Sequence, residues 1–184
     1  VEARAARFTE AHDDKDVTEA LAEARRLGLP LWVLGGGSNL VLTTDVEALV
    51  LRMASQGVRL LEDDGERVVI EAEAGEAWHP FVLRSLALGL SGLENLSLIP
   101  GTVGAAPIQN VGAYGVEIKD VFDGLTALDR ATGRLVEFGL QACAFGYRDS
   151  LFKRQAGRYI ILRVRFALRR TAHLKLEYGP LRQW

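Results

Sequence analysis

IPGTVGAAPIQNVGAYG, residues 99–115, carries seven glycines and alanines, at Gly101, Gly104, Ala105, Ala106, Gly112, Ala113 and Gly115. Among them stand Thr102, Pro107, Tyr114 and the neighbouring amides Gln109 and Asn110. Neither the 3.6-residue period of a helix nor the two-residue period of a strand fits, so the stretch reads as a loop. Bare backbone lets N–H groups come close to a flat or anionic ligand, and adjacent amides can complete the contact. Taken alone, the stretch also fits a long glycine-rich surface loop.

Upstream, the strand-like LWVL at 31–34 runs straight into Gly35-Gly36-Gly37-Ser38-Asn39. Successive free N–H groups at a strand end form a nest for a phosphate. This is not the Rossmann fingerprint: the third glycine would fall at Leu40, and LVL at 40–42 reads as strand, not helix. Nor does the Gly-Lys-Ser/Thr ending of a P-loop follow. The plainer alternative is a tight turn between two strands, yet three glycines with Ser and Asn exceed what a turn requires. Downstream, Phe145-Gly146-Tyr147-Arg148-Asp149-Ser150 precedes Leu151-Phe152-Lys153. Asp149 or Ser150 suits the cap of a helical turn there. Arg148 offers a two-pronged contact to a carboxylate, with Asp149 or solvent as the alternative partner.

The 184 residues can bury a sizeable core in one large domain or two small ones. With 48% hydrophobic and 25% charged residues and a net charge of −2, nothing marks a nucleic-acid or anionic-membrane surface. Cys143 is the only cysteine, which excludes an intramolecular disulfide and fits a reducing, cytoplasmic setting. No apolar run reaches the ~18 residues of a membrane span, and no signal-peptide pattern opens the chain. The absent initial Met and the stop at Trp184 read as cut ends. His12, His79 and His173 lie far apart, and one cysteine gives no metal-ligand spacing. No Gly-x-Ser-x-Gly elbow supports a serine hydrolase. Cys143 reads as a small buried apolar residue, and Trp32 and Trp78 as core.

Residues 16–28 read as a helix with Val17, Leu21, Ala24 and Leu27 on one face, Asp16 as its cap and Gly28 after its end. With strands at 31–34, 40–42 and 48–53, they form a small α/β unit over residues 1–54. Residues 55–184 have another texture. Hairpins are predicted at 58–64 with 67–74 and at 124–130 with 134–139. Between them, residues 76–90 read as a helix turning Trp78, Phe81, Val82 and Leu86 inward. A half-buried strand follows at 159–169, with Arg163, Arg165 and Arg169 on one face and Leu162, Val164, Phe166 and Leu168 on the other. The whole is α+β.

Taken in order, GGGSN at 35–39, ENLSLIPGTVGAAPIQNVGAYG at 94–115 and FGYRDSLFK at 145–153 closely resemble the UDP-N-acetylenolpyruvoylglucosamine reductases of bacterial peptidoglycan synthesis. The resemblance covers about residues 16–178. It implies the FAD-binding fold of the p-cresol methylhydroxylase and vanillyl-alcohol oxidase superfamily, with two α+β subdomains at 1–54 and 55–184. It also implies non-covalent FAD, NADPH as hydride donor and a nucleotide-sugar substrate. By the resemblance Gly35, Gly36, Gly37, Ser38 and Asn39 cradle the FAD pyrophosphate. Gly101, Thr102, Gly104, Ala105, Pro107, Gln109, Asn110, Gly112, Ala113 and Tyr114 line the rest of the cofactor. Tyr147 and Tyr178 meet the substrate, and Arg148 steadies charge on the enolpyruvyl carboxylate as hydride arrives. The family's proton donor and its C-terminal glutamate, from a third domain, would fall beyond Trp184, so the 184 residues alone are expected to be inactive. The alternatives are another FAD oxidoreductase of the same superfamily, or a non-catalytic flavin-binding module.

Overall fold

The amphipathic stretch after His12 forms helix α1 (Asp14–Leu27) in the computed structural model, which describes residues 3–172. Its cap is Asp13, not Asp16. The Asp13 carboxylate accepts from Asp16 N at 2.9 Å, while Asp16 accepts from His12 N at 2.8 Å. The two acids thus satisfy free amides at the helix start reciprocally, and the helix begins two residues earlier than the pattern from Asp16 predicts. At the other end Gly28 takes φ +67, a conformation a side chain would strain. Val17, Ala20, Leu21 and Ala24 are the buried face.

Helix α1 packs on a three-stranded parallel sheet of β1 (Ala5–Ala11), β2 (Leu31–Leu34) and β3 (Val46–Met53), in the order β1-β3-β2. The exposed, apolar-poor β1 carries no strand signal of its own and is held by its register against β3. Residues 40–42 are not a strand, although their composition suggests one. Because β2 and β3 run parallel side by side, the chain must return from the level of Arg52 to Val46 between them, roughly 20 Å at ~3.3 Å per residue. Residues 35–45 make that return without a helix, which leaves Leu40, Val41 and Leu42 exposed.

The larger sheet is antiparallel, in the order β4-β5-β10-β8-β9. It comprises β4 (Val58–Asp63), β5 (Arg67–Glu73), β8 (Phe122–Asp129), β9 (Arg134–Gly139) and β10 (Tyr159–Arg169). Both predicted hairpins form. Helix α2 (Trp78–Ala87) lays Trp78, Phe81 and Val82 on one sheet face. There Trp78, Phe81 and Phe166 pack ring to ring, with centroids 5.2–5.9 Å apart. The strict alternation predicted for β10 breaks at Leu162. A bulge opposite β8 between Ile161 and Arg163 turns Leu162, with Ile160, into the core beneath α1, while Val164, Phe166 and Leu168 stay against α2. Arg163 clasps Asp14 of α1 with two bonds of 2.9 Å, so β10 belongs to both cores.

The stretch read as a featureless loop contains a 3₁₀ helix, Val103–Gln109, around Pro107. Short strands β6 (Gly112–Ala113) and β7 (Val116–Glu117) follow it. Helices α3 (Leu140–Cys143) and α4 (Leu151–Arg154) flank the FGYRDS segment. The 3₁₀ helix lies against β5 so closely that a Cβ on Gly104 would sit 2.5 Å from Ala74 Cβ and 3.0 Å from its Cα. Gly104→Ala is expected to cost about 1–3 kcal/mol through overpacking. Gly139→Ala, whose Cβ would meet nothing within 4 Å, should leave the melting temperature unchanged. Thermal unfolding followed by circular dichroism compares the two.

Candidate functional site

The two glycine segments meet face to face. A Cβ on Gly35 would stand 2.7 Å from Thr102 Oγ1, and one on Gly36 would stand 3.2 Å from Gly101 Cα. Neither glycine lies in the left-handed region, so the need for glycine is one of space. The 99–115 segment is in turn clamped to the start of α2: Trp78 N donates to Gly101 O at 3.0 Å and Val103 N to Glu76 O at 2.9 Å. Two chain segments over sixty positions apart therefore present backbone to one place, with Gly36, Gly37, Ser38 and Asn39 exposed beside it.

Beneath them runs a cleft of about 380 Å³ between the two sheets. Gly35, Thr102, Gly104 and Ala105 line it, together with Trp32, Val33, Leu40, Ile108, Phe152 and Ile160. Among the described residues its cationic lining is Arg130 and Lys153, and no carboxylate lines it. Trp32, expected in the core, is 48% exposed on this cleft. A larger cavity of about 620 Å³, near Glu66, Ser91 and Arg169, takes in Glu94 and Asn95 at the start of the middle motif but none of the residues singled out as cofactor contacts.

The FGYRDS segment is laced to the glycine-rich one by three hydrogen bonds. Asn110 Nδ2 donates to Gly146 O at 2.9 Å, Ser150 Oγ to Ile108 O at 2.6 Å, and an Arg148 guanidinium N–H to Gly112 O at 2.8 Å. Asn110 also accepts from Lys119 N at 3.2 Å and is fully buried, so both ends of its amide are committed to protein partners. Ser150, the alternative to Asp149, caps α4. Asp149 pairs with Arg154, which leaves Arg148 facing solvent but for its contact with Gly112. Lys153 of the cleft donates to the Arg148 carbonyl at 2.8 Å. Asn110, Tyr114 and Arg148 all adopt left-handed backbone, with φ of 44°, 49° and 52°. For non-glycine residues that costs about 1–3 kcal/mol each, and it persists only where the surroundings over-determine it.

Of the residues singled out in the sequence, Gly35, Thr102, Gly104 and Ala105 line the cleft. Gly101, Gly112 and Asn110 act in the contacts that brace it, and Pro107 is buried beneath. Gln109 and Ala113 are half-buried along the same segment, and Tyr147 stands 86% exposed. Tyr178 lies outside the described residues. Sequence reasoning missed Arg130, Phe152 and Ile160 as cleft residues. An arginine in a hairpin turn and apolar residues in a helix and a strand carry no signal until the sheets are docked. His79 accepts from Leu98 N at 3.1 Å in a structural bond. Burial pushes the Cys143 thiol up to about 12, which keeps it protonated and inert. Among the described residues no group of three or more His, Cys, Asp or Glu could hold a metal, and no helix is long and apolar enough to cross a membrane.

An apolar-walled, carboxylate-free cleft with two cations and an open glycine loop suits a flat ring system joined to a diphosphate. Comparison with known proteins agrees with that chemistry. The profile of the FAD binding domain family matches residues 5–139. A UDP-N-acetylenolpyruvoylglucosamine reductase of Pseudomonas fluorescens (strain Pf0-1) is 71% identical over 183 residues, covering 100% of this chain and 54% of that protein. The chain thus spans about half the length of the curated relatives it matches. The crystal structure of a UDP-N-acetylenolpyruvylglucosamine reductase from Thermus caldophilus superposes with a TM-score of 0.70 at 29% identity, over 88% of this chain and 55% of that one. A VAO-type flavoprotein from Myceliophthora thermophila, at 17% identity and a TM-score of 0.66 over 88% of this chain and 31% of that one, shares the fold. With the family profile spanning most of the sequence, and both glycine segments packed together inside it, the chain belongs to the FAD binding domain family.

Proposed function

We propose that this chain is the FAD-holding part of a UDP-N-acetylenolpyruvoylglucosamine reductase, which draws hydride from NADPH and reduces the enolpyruvyl group of a nucleotide sugar in the cytoplasm. The observation that carries this reading is the lacing of the FGYRDS segment to the glycine-rich segment, which ties Arg148 to Gly112 and sets it beside Lys153, a residue of the cleft. We read residues 1–54 and 55–184 as the two subdomains that close on the cofactor.

Bound FAD would supply the hydride-transfer chemistry. The residues Gly35, Gly36, Gly37, Ser38 and Asn39 would hold its diphosphate with backbone N–H groups, and Thr102, Gly104 and Ala105 would face its flat portions. Arg148 spends one guanidinium N–H on Gly112 O and keeps its charge and remaining donors for a substrate carboxylate. Because that contact strengthens as negative charge grows toward the carboxylate, it favours the transition state over the ground state. Lys153 holds the Arg148 backbone from behind.

The protein is expected to bind FAD non-covalently and to purify yellow, releasing the flavin on denaturation. Gly36→Val should weaken FAD binding at least tenfold, about 1.4 kcal/mol, because its side chain would push Gly101 and the paired glycine segment away. Fluorescence titration of the apoprotein measures this. A colourless protein that takes up no FAD would sink the proposal.

A further inference from the structure

We infer that Arg25 and Arg130 form an anion site beside the cleft that takes a phosphate group. Only three arginines among the described residues are not exposed: Arg130, Arg163 and Arg165. Arg163 is paired with Asp14, and Arg165 with Glu137. Arg130 has no carboxylate partner among the described residues. One of its guanidinium N–H groups donates to Gly157 O at 2.6 Å, and a neighbouring guanidinium opposes its charge. That neighbour is Arg25, which donates to the Arg130 carbonyl and also lacks an ion pair.

A second cavity, of about 510 Å³, adjoins the cleft at Arg130. It shares Leu31, Arg130, Ala156 and Gly157 with the cleft, and Arg25 and Arg158 add to its lining. No carboxylate among the described residues lines it either. The nearby acid, Asp129, is spent on Arg158 and on Ala131 N. Partly burying a guanidinium without a counter-charge is unfavourable, and a second cation beside it adds to the cost. Burial, and then Arg25, hold the Arg130 guanidinium below its usual range. Two planar forks with most of their donors unspent suit the several oxygens of a phosphate better than a single carboxylate.

That phosphate has two sources: the cofactor in the adjoining cleft, in which case the inference rests on the FAD reading above, or a separate phosphate or nucleotide. The test titrates inorganic phosphate into the cofactor-free 184-residue protein, followed by ³¹P NMR and calorimetry at low salt. Arg25→Gln, at an exposed position, should weaken binding several-fold without moving the melting temperature. The Arg25→Gln/Arg130→Gln double variant should weaken it at least tenfold, and Arg130→Lys should retain part of it. If FAD loading abolishes phosphate binding, the cofactor supplies the phosphate; if FAD-loaded protein binds it unchanged, the site serves a separate ligand. Either outcome supports the site. Equal phosphate affinity in parent and Arg25→Gln proteins, or no phosphate binding by the parent together with unchanged FAD affinity in Arg130→Gln, overturns it. Because the phosphate titration needs no flavin, it stays interpretable even if the protein binds no FAD.

Discussion

Replacing Arg148 with alanine in the full-length protein is expected to slow substrate reduction about 10²–10³-fold, the usual cost of removing one fixed donor from a developing oxyanion. Reduction of the flavin by NADPH should stay near the parent rate, since no enolpyruvyl carboxylate takes part in it. The two steps separate in stopped-flow traces of flavin absorbance, with and without the enolpyruvyl nucleotide sugar. The reason for expecting so unequal an effect lies in the local geometry. Arg148 is exposed, is not paired with its acidic neighbour Asp149, and is tethered by one contact, to Gly112 O. Its charge is therefore neither neutralised nor needed by the core. The left-handed backbone at φ 52° is unfavourable for an arginine and is held by contacts from Lys153 and Gly112. Arg148→Lys keeps the charge but loses the planar fork, so it should recover only part of the rate. Equal losses in both half-reactions would mean that Arg148 merely braces the 99–115 segment.

Asn110→Ala should lower stability by about 2–4 kcal/mol, since it strands the Gly146 carbonyl and the Lys119 amide without partners and puts alanine in left-handed backbone. For a chain of this size that is a fall in melting temperature of about 5–15 °C. Asn110→Gly tolerates the φ of 44° and loses only the two bonds, so it should fall between parent and alanine variant. The same lacing sets where Arg148 stands, so the glycine variant should also lose substrate reduction while keeping FAD. A variant as stable as the parent would show that Ser150 and Gly112 hold the FGYRDS segment without Asn110. The buried amide, which the resemblance implies as a cofactor contact, has both of its ends on protein partners.

Much of the fold follows from local pattern. The Gly28 terminator, the two hairpins, the α2 face around Trp78 and Phe81, and the half-polar β10 rest on period and turn chemistry that neighbouring residues carry. The three motifs that carry the family resemblance are likewise sequence-local. Other features exist only once distant segments meet. β1 has no apolar alternation and becomes a strand through β3, and residues 40–42 look like a strand but are spent returning the chain between two parallel neighbours. Leu162 changes core because a bulge inverts the strand's parity at that point. The site divides the same way. Glycines at 35, 36 and 104 are visible in the sequence, but their reason is close contact across chain separations of more than twenty-five positions, while Gly101 takes a φ of +120. Trp32 and Arg130 have no motif to mark them, and Phe152 stands at the end of one that points elsewhere; all three become cleft residues when the two sheets dock. Sequence determined which segments are bare backbone and which are amphipathic, because those properties act within a few residues. Tertiary structure decided which side chains lost their solvent, and with it which polar groups bind the protein and which stay open to a ligand.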